Sequence, residues 1–418
     1  MRILISTLGS RGDVQPYLAL AVGLKNAGHL PTLAAPESFA GWIQSYGVDV
    51  VPVQFNPQEA MQKLGKSGGG LRTMGTMQKT IREGMKDAQD DVWQAAQETG
   101  FFIQSGTGMG LMEIASLRGI PGAFAYLFPF APTRAWPMFW LPFRSSLGGG
   151  YNLLTHKVIS RVLWQVGGPM NNEWRKHLGL KPWRSEGEMF VYAHSLNTPF
   201  IYGYSRNLVP KPSDWNDLQH ITGYWFLDPP SGWQPPEDLL RFLESGSPPV
   251  YIGFGSMNAE NPERQTRLAI KALELTGQRG LLLTGWGGIS QIPASPNVFF
   301  VENIPHSWLF PRVSAVVHHG GSGTTGAGLR AGIPSILTPF GGDQFAWADL
   351  VVKSGVGPRT PGIKKITAET LAELIRTVVN DSTVRARAAA LGEKIRSEDG
   401  ITRAVEIIEQ HAGEKDEI

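Results

Sequence analysis

Residues 316–347 read VVHHGGSGTTGAGLRAGIPSILTPFGGDQFAW, and this stretch carries the clearest structural pattern in the chain. Its valine-rich start predicts a strand, the glycine-opened run after it predicts a helix, and IPSILTPF predicts a second strand. A strand, a helix and a further strand form a βαβ unit, which implies a parallel sheet with helices on its faces.

The same alternation opens the chain. RILIST (residues 2–7) predicts a strand, GSRGD (9–13) a turn, and the next segment a helix with Pro16 in its permitted first turn. A second alternating series begins at PPVYIGFGS (248–256), after a stretch rich in Pro, Trp and Asp. We therefore predict an α/β protein with two facing Rossmann-like domains, parallel sheets and a cleft between them. The predicted parts are an N-terminal domain 1–208, a linker 209–248, a C-terminal domain 249–390, and a helix and tail 391–418.

Composition excludes several classes of protein. The chain has 418 residues, of which 42% are apolar and 18% charged, so it can form large cores and is not disordered overall. The absence of cysteine excludes disulfides, thiol nucleophiles and cysteine-ligated metals. Residues 1–7 lack the basic lead-in and cleavage site of a signal peptide, and no apolar run reaches the roughly 18 residues of a membrane span. We expect a cytoplasmic protein.

The net charge of +2 is unevenly distributed. Residues 1–210 carry 19 Lys and Arg against 13 Asp and Glu, whereas residues 211–418 carry 19 against 23. This excess is too small for a nucleic-acid partner, and no basic run appears. The positive charge of the N-terminal half would allow a peripheral contact with an anionic membrane. The alternative is ordinary variation of surface charge.

The glycine-rich turn at 320–323 predicts an anion site. Glycines between a strand and a helix expose backbone N–H groups at the positive end of the helix, which suits a diphosphate. Ser322, Thr324 and Thr325 add hydroxyl donors, and His318 at the strand end adds an imidazole N–H. The alternative is a tight turn that needs glycine for packing alone.

Asp343 and Gln344 follow the next strand, at the same edge of the sheet. A carboxylate and an amide together suit recognition of vicinal sugar hydroxyls, because the carboxylate accepts and the amide both donates and accepts. The alternative is a surface turn, which Gly341 and Gly342 would favour.

Asp13 stands just before the first long helix, where a carboxylate facing the cleft could act as a general base or could simply cap the helix. The turn lacks the full GxGxxG pattern, so a dinucleotide site is weakly supported. His318 and His319 are adjacent on a strand and point to opposite faces, and no D-x-D motif occurs. We therefore expect no metal ion and no cofactor.

Several segments resemble a known family. GSRGDVQPYLALAVGL (9–24), the segment from Pro305 to Pro334 and PFGGDQFAWADLV (339–351) resemble GT-B glycosyltransferases, a group that includes sterol 3-β-glucosyltransferases and bacterial antibiotic glycosyltransferases. YNLLTHKVISRVLWQ (151–165) and HITGYWFLD (220–228) look like the sterol group in particular. The likeness runs from Arg2 to about Gly357.

The resemblance implies a role for each matching position. Asp13 would be the general base, and Asp343 and Gln344 would hold the donor glucose. The nucleobase would lie against Ile304, with His306 and Trp286 as weaker candidates, because Asn303 replaces the Trp on which plant relatives stack the base. The implied diphosphate set is Ser10, Ser256, His318, Gly320, Gly321, Ser322, Gly323, Thr324 and Thr325.

The stretch 119–143 is dense in aromatic residues and broken by five prolines, which suits loops that line an apolar cleft. Packing within the protein is the alternative for each side chain, and contact with a membrane surface is a further hypothesis. The candidate acceptor-binding residues are Phe124, Phe128, Trp136, Phe139 and Trp140.

Together these readings predict metal-independent, inverting transfer of glucose from UDP-glucose to the 3-hydroxyl of a sterol or related polycyclic lipid. One alternative is a UDP- or TDP-sugar transferase acting on a polyketide or triterpenoid. Another is a non-catalytic sterol-binding protein on the same fold. A nucleotide-sugar 2-epimerase also fits the diphosphate site, but its polar substrate would leave the aromatic stretch without a purpose.

Overall fold

The structure, a computed structural model, describes residues 1–56, 86–141, 146–254, 262–284 and 289–413. Within these residues, every paired strand lies in one of two sheets, and all the strand pairs are parallel. The predicted α/β class with two parallel-sheet domains is confirmed.

The first sheet has seven strands in the spatial order β3-β2-β1-β4-β5-β6-β7. Leu4 in β1 faces one apolar core, while Ile3 and Ile5 face the other, so this strand is buried on both sides. The strands are β1 Arg2–Ser6, β2 Leu30–Pro36, β3 Asp49–Val53, β4 Phe101–Ser105, β5 Gly122–Tyr126, β6 Phe200–Tyr202 and β7 Gln219–Ile221.

The second sheet has five strands in the order β10-β9-β8-β11-β12. Val316 in β11 faces one core, and Ala315 and Val317 face the other. The strands are β8 Val250–Gly253, β9 Gly280–Leu283, β10 Val298–Val301, β11 Ala315–His318 and β12 Ser335–Leu337.

Helices cover both sheets, and none of those in the described ranges is long and apolar enough to cross a bilayer. The first six are α1 Arg11–Asn26, α2 Ala40–Gln44, α3 Leu111–Arg118, α4 Gly149–His177, α5 Glu186–Ser195 and α6 Glu237–Glu244. The others are α7 Pro262–Thr276, α8 His306–Leu309, α9 Ser322–Ala331, α10 Gln344–Lys353, α11 Ala368–Asn380, α12 Ser382–Arg396 and α13 Gly400–Gly413.

Strand order marks the functional edge of each sheet. In the first sheet the chain leaves β1 toward β2 on one side and later returns to β4 on the other. In the second sheet β8 and β11 are related in the same way. Ligands of open parallel sheets bind at such switch points, beyond the carboxyl ends of the strands. The turns after β1 and β11 both lie there.

The segment predicted as a linker, 209–248, is more structured than its composition suggests. It contains β7, which belongs to the first sheet, and helix α6. The final helix α13 also returns to the first domain, where Ala404, Ile407 and Ile408 join the same core as Ile3. The predicted boundary at residue 390 falls inside α12, because this helix continues to Arg396.

The entry into α13 passes very close to the backbone after β7. A Cβ at Gly400 would come 2.6 Å from the backbone atoms of Gly223 and Tyr224. Because backbone cannot move aside as a side chain can, we expect Gly400→Ala to lower the free energy of unfolding by about 1–3 kcal/mol. Gly413→Ala, at the end of the same helix, meets no atom within 4 Å and serves as the control. Equal unfolding midpoints for the two variants in thermal melts would contradict this account.

Candidate active site

Asp13 is the third residue of α1, inside the helix rather than just before it, and its side chain forms a capping box with the N-cap residue Ser10. Its Oδ2 accepts hydrogen bonds from the backbone N–H of Ser10 (2.8 Å) and from the Ser10 hydroxyl (2.9 Å). No described residue donates to its Oδ1, and the side chain is partly exposed. The two roles considered from the sequence are therefore compatible: one oxygen serves the cap and the other is open to a ligand.

Burial raises the pKa of Asp13, and the two hydrogen bonds from Ser10 oppose that rise. A raised pKa makes the ionised carboxylate a stronger base. Ser10, predicted to contact the diphosphate, instead directs its hydroxyl proton to Asp13 and so orients the base.

His318 ends β11 and is 0% exposed. Its Nδ1 accepts the backbone N–H of Gly320 at 3.1 Å, which places the ring proton on Nε2. Burial, followed by the neighbouring His319 and His306, holds the pKa of His318 well below its usual value, so the ring is neutral. Nε2 has no hydrogen-bond partner among the described residues. A buried N–H donor without a partner requires an explanation, and a bound anion provides one.

The turn between β11 and α9 leaves further donors exposed. Gly320 adopts φ +97°, a conformation that glycine tolerates and other residues rarely adopt. The chain then enters α9 at Ser322, where the first backbone N–H groups have no partner within the helix. Gly321 caps the helix, and Gly323 is exposed at its first turn. Unpartnered backbone N–H groups at the start of a helix can bind an anion, which is the role predicted for this turn.

Two of the three predicted hydroxyl donors have other partners. The Ser322 hydroxyl donates to the backbone carbonyl of Leu127 at 2.9 Å, across the two domains. The Thr325 hydroxyl donates to the carbonyl of Gly321 at 2.9 Å, and its side chain is fully buried. Thr325 is therefore a structural residue in this arrangement. Thr324 is partly exposed and remains the available hydroxyl.

Asp343 and Gln344 follow β12, as predicted, and lie at the start of α10, where each makes a structural contact. Asp343 Oδ2 accepts the indole N–H of Trp347 at 2.8 Å. Gln344 Oε1 accepts the backbone N–H of Phe340 at 2.8 Å, so its carbonyl holds the turn and its amide N–H₂ remains for a ligand. Trp347 was missed by the sequence reasoning, although its position four residues after Asp343 on a helix was a usable signal.

Burial raises the pKa of Asp343 to about 6; the Trp347 hydrogen bond opposes this shift, and the charge of Asp13 adds to it. The contribution of Asp13 indicates that the two carboxylates lie near each other, although 330 residues separate them in sequence. The structure thus brings together the predicted base and the predicted sugar-binding carboxylate.

The predicted nucleobase residues are less accessible than expected. Ile304 belongs to the core of the second domain. The His306 ring stacks on Phe310 with centroids 4.3 Å apart, and burial, Arg11 and His319 lower its pKa to about 4. One face of His306 is therefore already occupied by Phe310. Ser256 and Trp286 lie outside the described residues.

Arg11 is a site residue that the sequence reasoning missed. Its Nη1 donates to Oδ1 of Asn303 at 2.7 Å, which joins the first turn of α1 to the second domain. Its guanidinium also lies over the ring of Trp42, 4.8 Å from the centroid. Arg11 thus holds a positive charge in the cleft, two residues from Asp13. The signal was its place in the GSRGD turn, beside the predicted base.

The aromatic residues predicted to bind an acceptor divide into two groups. Phe124 and Phe139 are each 1% exposed and belong to the core, which corrects their assignment as lining residues. Phe128 and Trp140 are partly exposed, with centroids 5.8 Å apart. Trp136 is partly exposed and packs edge-on against Trp215. Phe130, which stacks on Tyr126 beside Phe128, was not predicted.

Comparisons with known proteins agree with this fold. Residues 3–105 match the glycosyltransferase family 28 N-terminal domain, and residues 286–410 match the erythromycin biosynthesis protein CIII-like C-terminal domain. The solved calicheamicin glycosyltransferase CalG4 is 19% identical with a TM-score of 0.67, covering 99% of this chain and 98% of that one. The spinosyn rhamnosyltransferase SpnG is 18% identical with a TM-score of 0.68, covering 98% and 100%. The chain therefore has the GT-B fold of these solved structures, and its N-terminal part matches a glycosyltransferase domain.

Among curated proteins, the chain is similar to enzymes named sterol 3-beta-glucosyltransferase. The sterol 3-beta-glucosyltransferase of Emericella nidulans is 36% identical over 424 residues, covering 98% of this chain and 30% of that protein. The enzyme of the same name from Cryptococcus neoformans (serotype D strain JEC21) is 35% identical over 436 residues, covering 98% and 27%. The chain thus spans less than a third of the length of these relatives.

The raised pKa of Asp343 makes a stability prediction. An unfolded Asp has a pKa of 3.8 against about 6 here, so ionisation destabilises the fold as the pH rises from about 4 to 6, and the penalty persists above that. Asp343→Asn keeps an acceptor for Trp347 and removes the charge. We expect it to gain up to about 3 kcal/mol of stability at pH 8 and almost nothing at pH 3.

Chemical denaturation of both proteins at the two pH values measures this difference. Asp349→Asn on the same helix removes a carboxylate that pairs with Lys353 at 2.8 Å, and it should bring no gain at pH 8. A variant at position 343 that is less stable than wild type at pH 8 would show that the ionised carboxylate is well accommodated.

Proposed function

We propose that this chain transfers glucose from UDP-glucose to the 3-hydroxyl of a sterol or a related polycyclic lipid, inverting the anomeric centre without a metal ion. Two observations carry the proposal. Oδ1 of Asp13 accepts no hydrogen bond from the described residues, and the buried Nε2–H of His318 has no partner just before α9, a helix that packs against α1. The names of the curated relatives support the sterol acceptor, and a thymidine diphosphate complex of the neighbour SpnG supports a nucleoside diphosphate donor.

The reaction is a single displacement. Asp13 accepts the proton of the acceptor hydroxyl through Oδ1 while that oxygen attacks the anomeric carbon from the face opposite the diphosphate. The bond between the anomeric carbon and the diphosphate breaks, and its electron pair leaves with the diphosphate. An α-linked donor therefore gives a β-linked product.

The protein would stabilise the leaving diphosphate with fixed dipoles. The neutral His318 donates from Nε2, and the first N–H groups of α9 point toward the same anion. These donors are held in place before the reaction, so they need no reorganisation as charge develops. The Arg11 guanidinium adds a positive charge from the opposite domain.

Asp343 and the Gln344 amide would hold the hydroxyls of the transferred sugar, and the partly exposed Phe128 and Trp140 would contact the acceptor. A surface of this kind recognises apolar area and discriminates weakly between similar ring systems. We therefore expect several sterols to serve as acceptors.

A second candidate uses a TDP-sugar and a polyketide or triterpenoid acceptor. The antibiotic glycosyltransferases among the structural neighbours favour it, and Asn303 in place of the plant Trp offers no obvious preference for uracil. A panel that pairs UDP- and TDP-sugars with both acceptor classes separates the two candidates. A protein that binds sterol but neither nucleotide would instead be the non-catalytic alternative.

The defining experiment is an endpoint assay in the presence of a chelator. The protein would receive UDP-glucose with cholesterol, ergosterol, a plant sterol and a triterpenoid, and the products would be read by mass. A hexose added to the sterols supports the acceptor class and metal independence together. Product that appears only without the chelator would overturn the metal-independent mechanism, and failure to bind UDP would overturn the donor assignment.

Asp13→Asn separates the capping role from the catalytic one. The Asn carbonyl oxygen can still accept both hydrogen bonds from Ser10, so the fold and the UDP affinity should change little. The amide cannot take a proton, so kcat should fall by about 10²–10⁴-fold. Steady-state kinetics and UDP titration calorimetry measure the two effects, with Asp349→Asn as the control. Near-normal turnover in Asp13→Asn would remove Asp13 from the mechanism.

A further inference from the structure

Helix α4 is 29 residues long, and its inner face holds the aromatic loop of residues 131–141. The Asn152 side-chain amide donates to the carbonyl of Arg134 at 2.7 Å, and the Thr155 hydroxyl accepts the backbone N–H of Met138 at 2.9 Å. This loop contains Trp136 and Trp140, the two tryptophans predicted to contact the acceptor. The inner face of α4 therefore supports one wall of the acceptor region.

The outer face of α4 is apolar and open to solvent. Leu154, Val158 and Val162 are 56%, 51% and 43% exposed. Their spacing of four residues places them in one strip along the helix. Leu147, just before the helix, is 76% exposed. Of the nine exposed large hydrophobic side chains among the described residues, four thus lie within 16 residues, which marks a patch rather than scattered surface positions.

The charge around this strip has a single sign. Lys157 and Arg161 are exposed on the same outer face, between the aliphatic positions. The sequence from 114 to 172 contains no Asp or Glu, a run of 59 residues that carries five Lys or Arg. A partner that fits must therefore accept aliphatic side chains and carry negative charge. The headgroup and acyl boundary of an anionic bilayer has both properties.

We infer that the outer face of α4 docks on the surface of an anionic lipid bilayer. The aliphatic strip would enter the headgroup boundary while Lys157 and Arg161 contact the lipid phosphates. Since the other face of the helix holds residues 131–141, docking would place the acceptor region beside the lipid. The docking surface rests on the exposed side chains and their charge alone; delivery of a sterol from the bilayer rests in addition on the proposed function.

The test measures co-sedimentation with phosphatidylcholine vesicles, with and without phosphatidylserine. Wild type should bind the vesicles that contain phosphatidylserine. The variant Leu154→Gln/Val158→Gln/Val162→Gln keeps good helix formers at exposed positions. It should bind these vesicles at least about tenfold more weakly than wild type does. Its matched control, Leu30→Gln/Leu117→Gln/Leu275→Gln, changes three exposed leucines elsewhere and should bind as wild type does.

The charge is tested separately. Lys157→Gln/Arg161→Gln should also lose about tenfold or more of its binding, and only with phosphatidylserine present, because the lost interaction is electrostatic. Lys364→Gln/Lys365→Gln removes two exposed lysines from the other domain and should leave binding unchanged.

Three results would overturn the inference: no binding of wild type to either vesicle, wild-type binding by the Leu154/Val158/Val162 variant, or a wild-type dimer in size-exclusion chromatography that this variant abolishes. The last result would assign the face to a second copy of the chain. Turnover on detergent-dispersed sterol distinguishes this question from the proposed function. It should be equal in wild type and the variant, and its absence in both would remove the proposed reaction while leaving the vesicle result valid.

Discussion

The arrangement of the cleft depends on the pair of hydrogen bonds from Ser10 to one oxygen of Asp13. These bonds cap α1 at the carboxyl end of β1, where the strand order of the first sheet reverses. They also fix the carboxylate, whose second oxygen accepts no hydrogen bond from the described residues. Helix start and candidate base are thus one structural unit, and the same turn carries Arg11, which reaches Asn303 in the other domain.

Burial of charge-bearing groups gives the cleft its electrostatic character. It raises the pKa of Asp13 and Asp343 and lowers that of His318, His319 and His306. The histidines are therefore neutral, and His318 offers a hydrogen bond rather than a full charge. The positive field for an anion comes instead from the start of α9 and from Arg11. A bound diphosphate would accept hydrogen bonds from these unpartnered N–H groups. Because the groups are already fixed in place, they would stabilise its charge without rearranging.

Local sequence signals predicted the fold and the positions of the glycine turn, Asp13 and Asp343, because strand, turn and helix patterns are short-range. These short-range signals could not predict contacts between segments that are distant in the sequence. Ser322 was expected to bind phosphate, but its hydroxyl bonds Leu127, 195 residues away. In the sequence Phe124 and Phe139 resemble ligand-contacting aromatic residues. In the fold the first sheet and α10 cover them, so both are buried. Composition alone likewise made residues 209–248 a linker, since a three-residue edge strand such as β7 has almost no pattern of its own.

The proposed donor and acceptor regions are joined by direct packing, and this would limit how independently they can change. Phe128 lies near Phe139, the Phe139 ring meets Trp347 edge-on at 5.1 Å, and the Trp347 indole bonds Asp343. Trp347 is itself fully buried in a core that both domains share. We would expect a substitution at Phe128, in the proposed acceptor surface, to act through these two rings on the carboxylate predicted to hold the sugar. If the proposed function holds, this close packing would couple acceptor preference to donor preference.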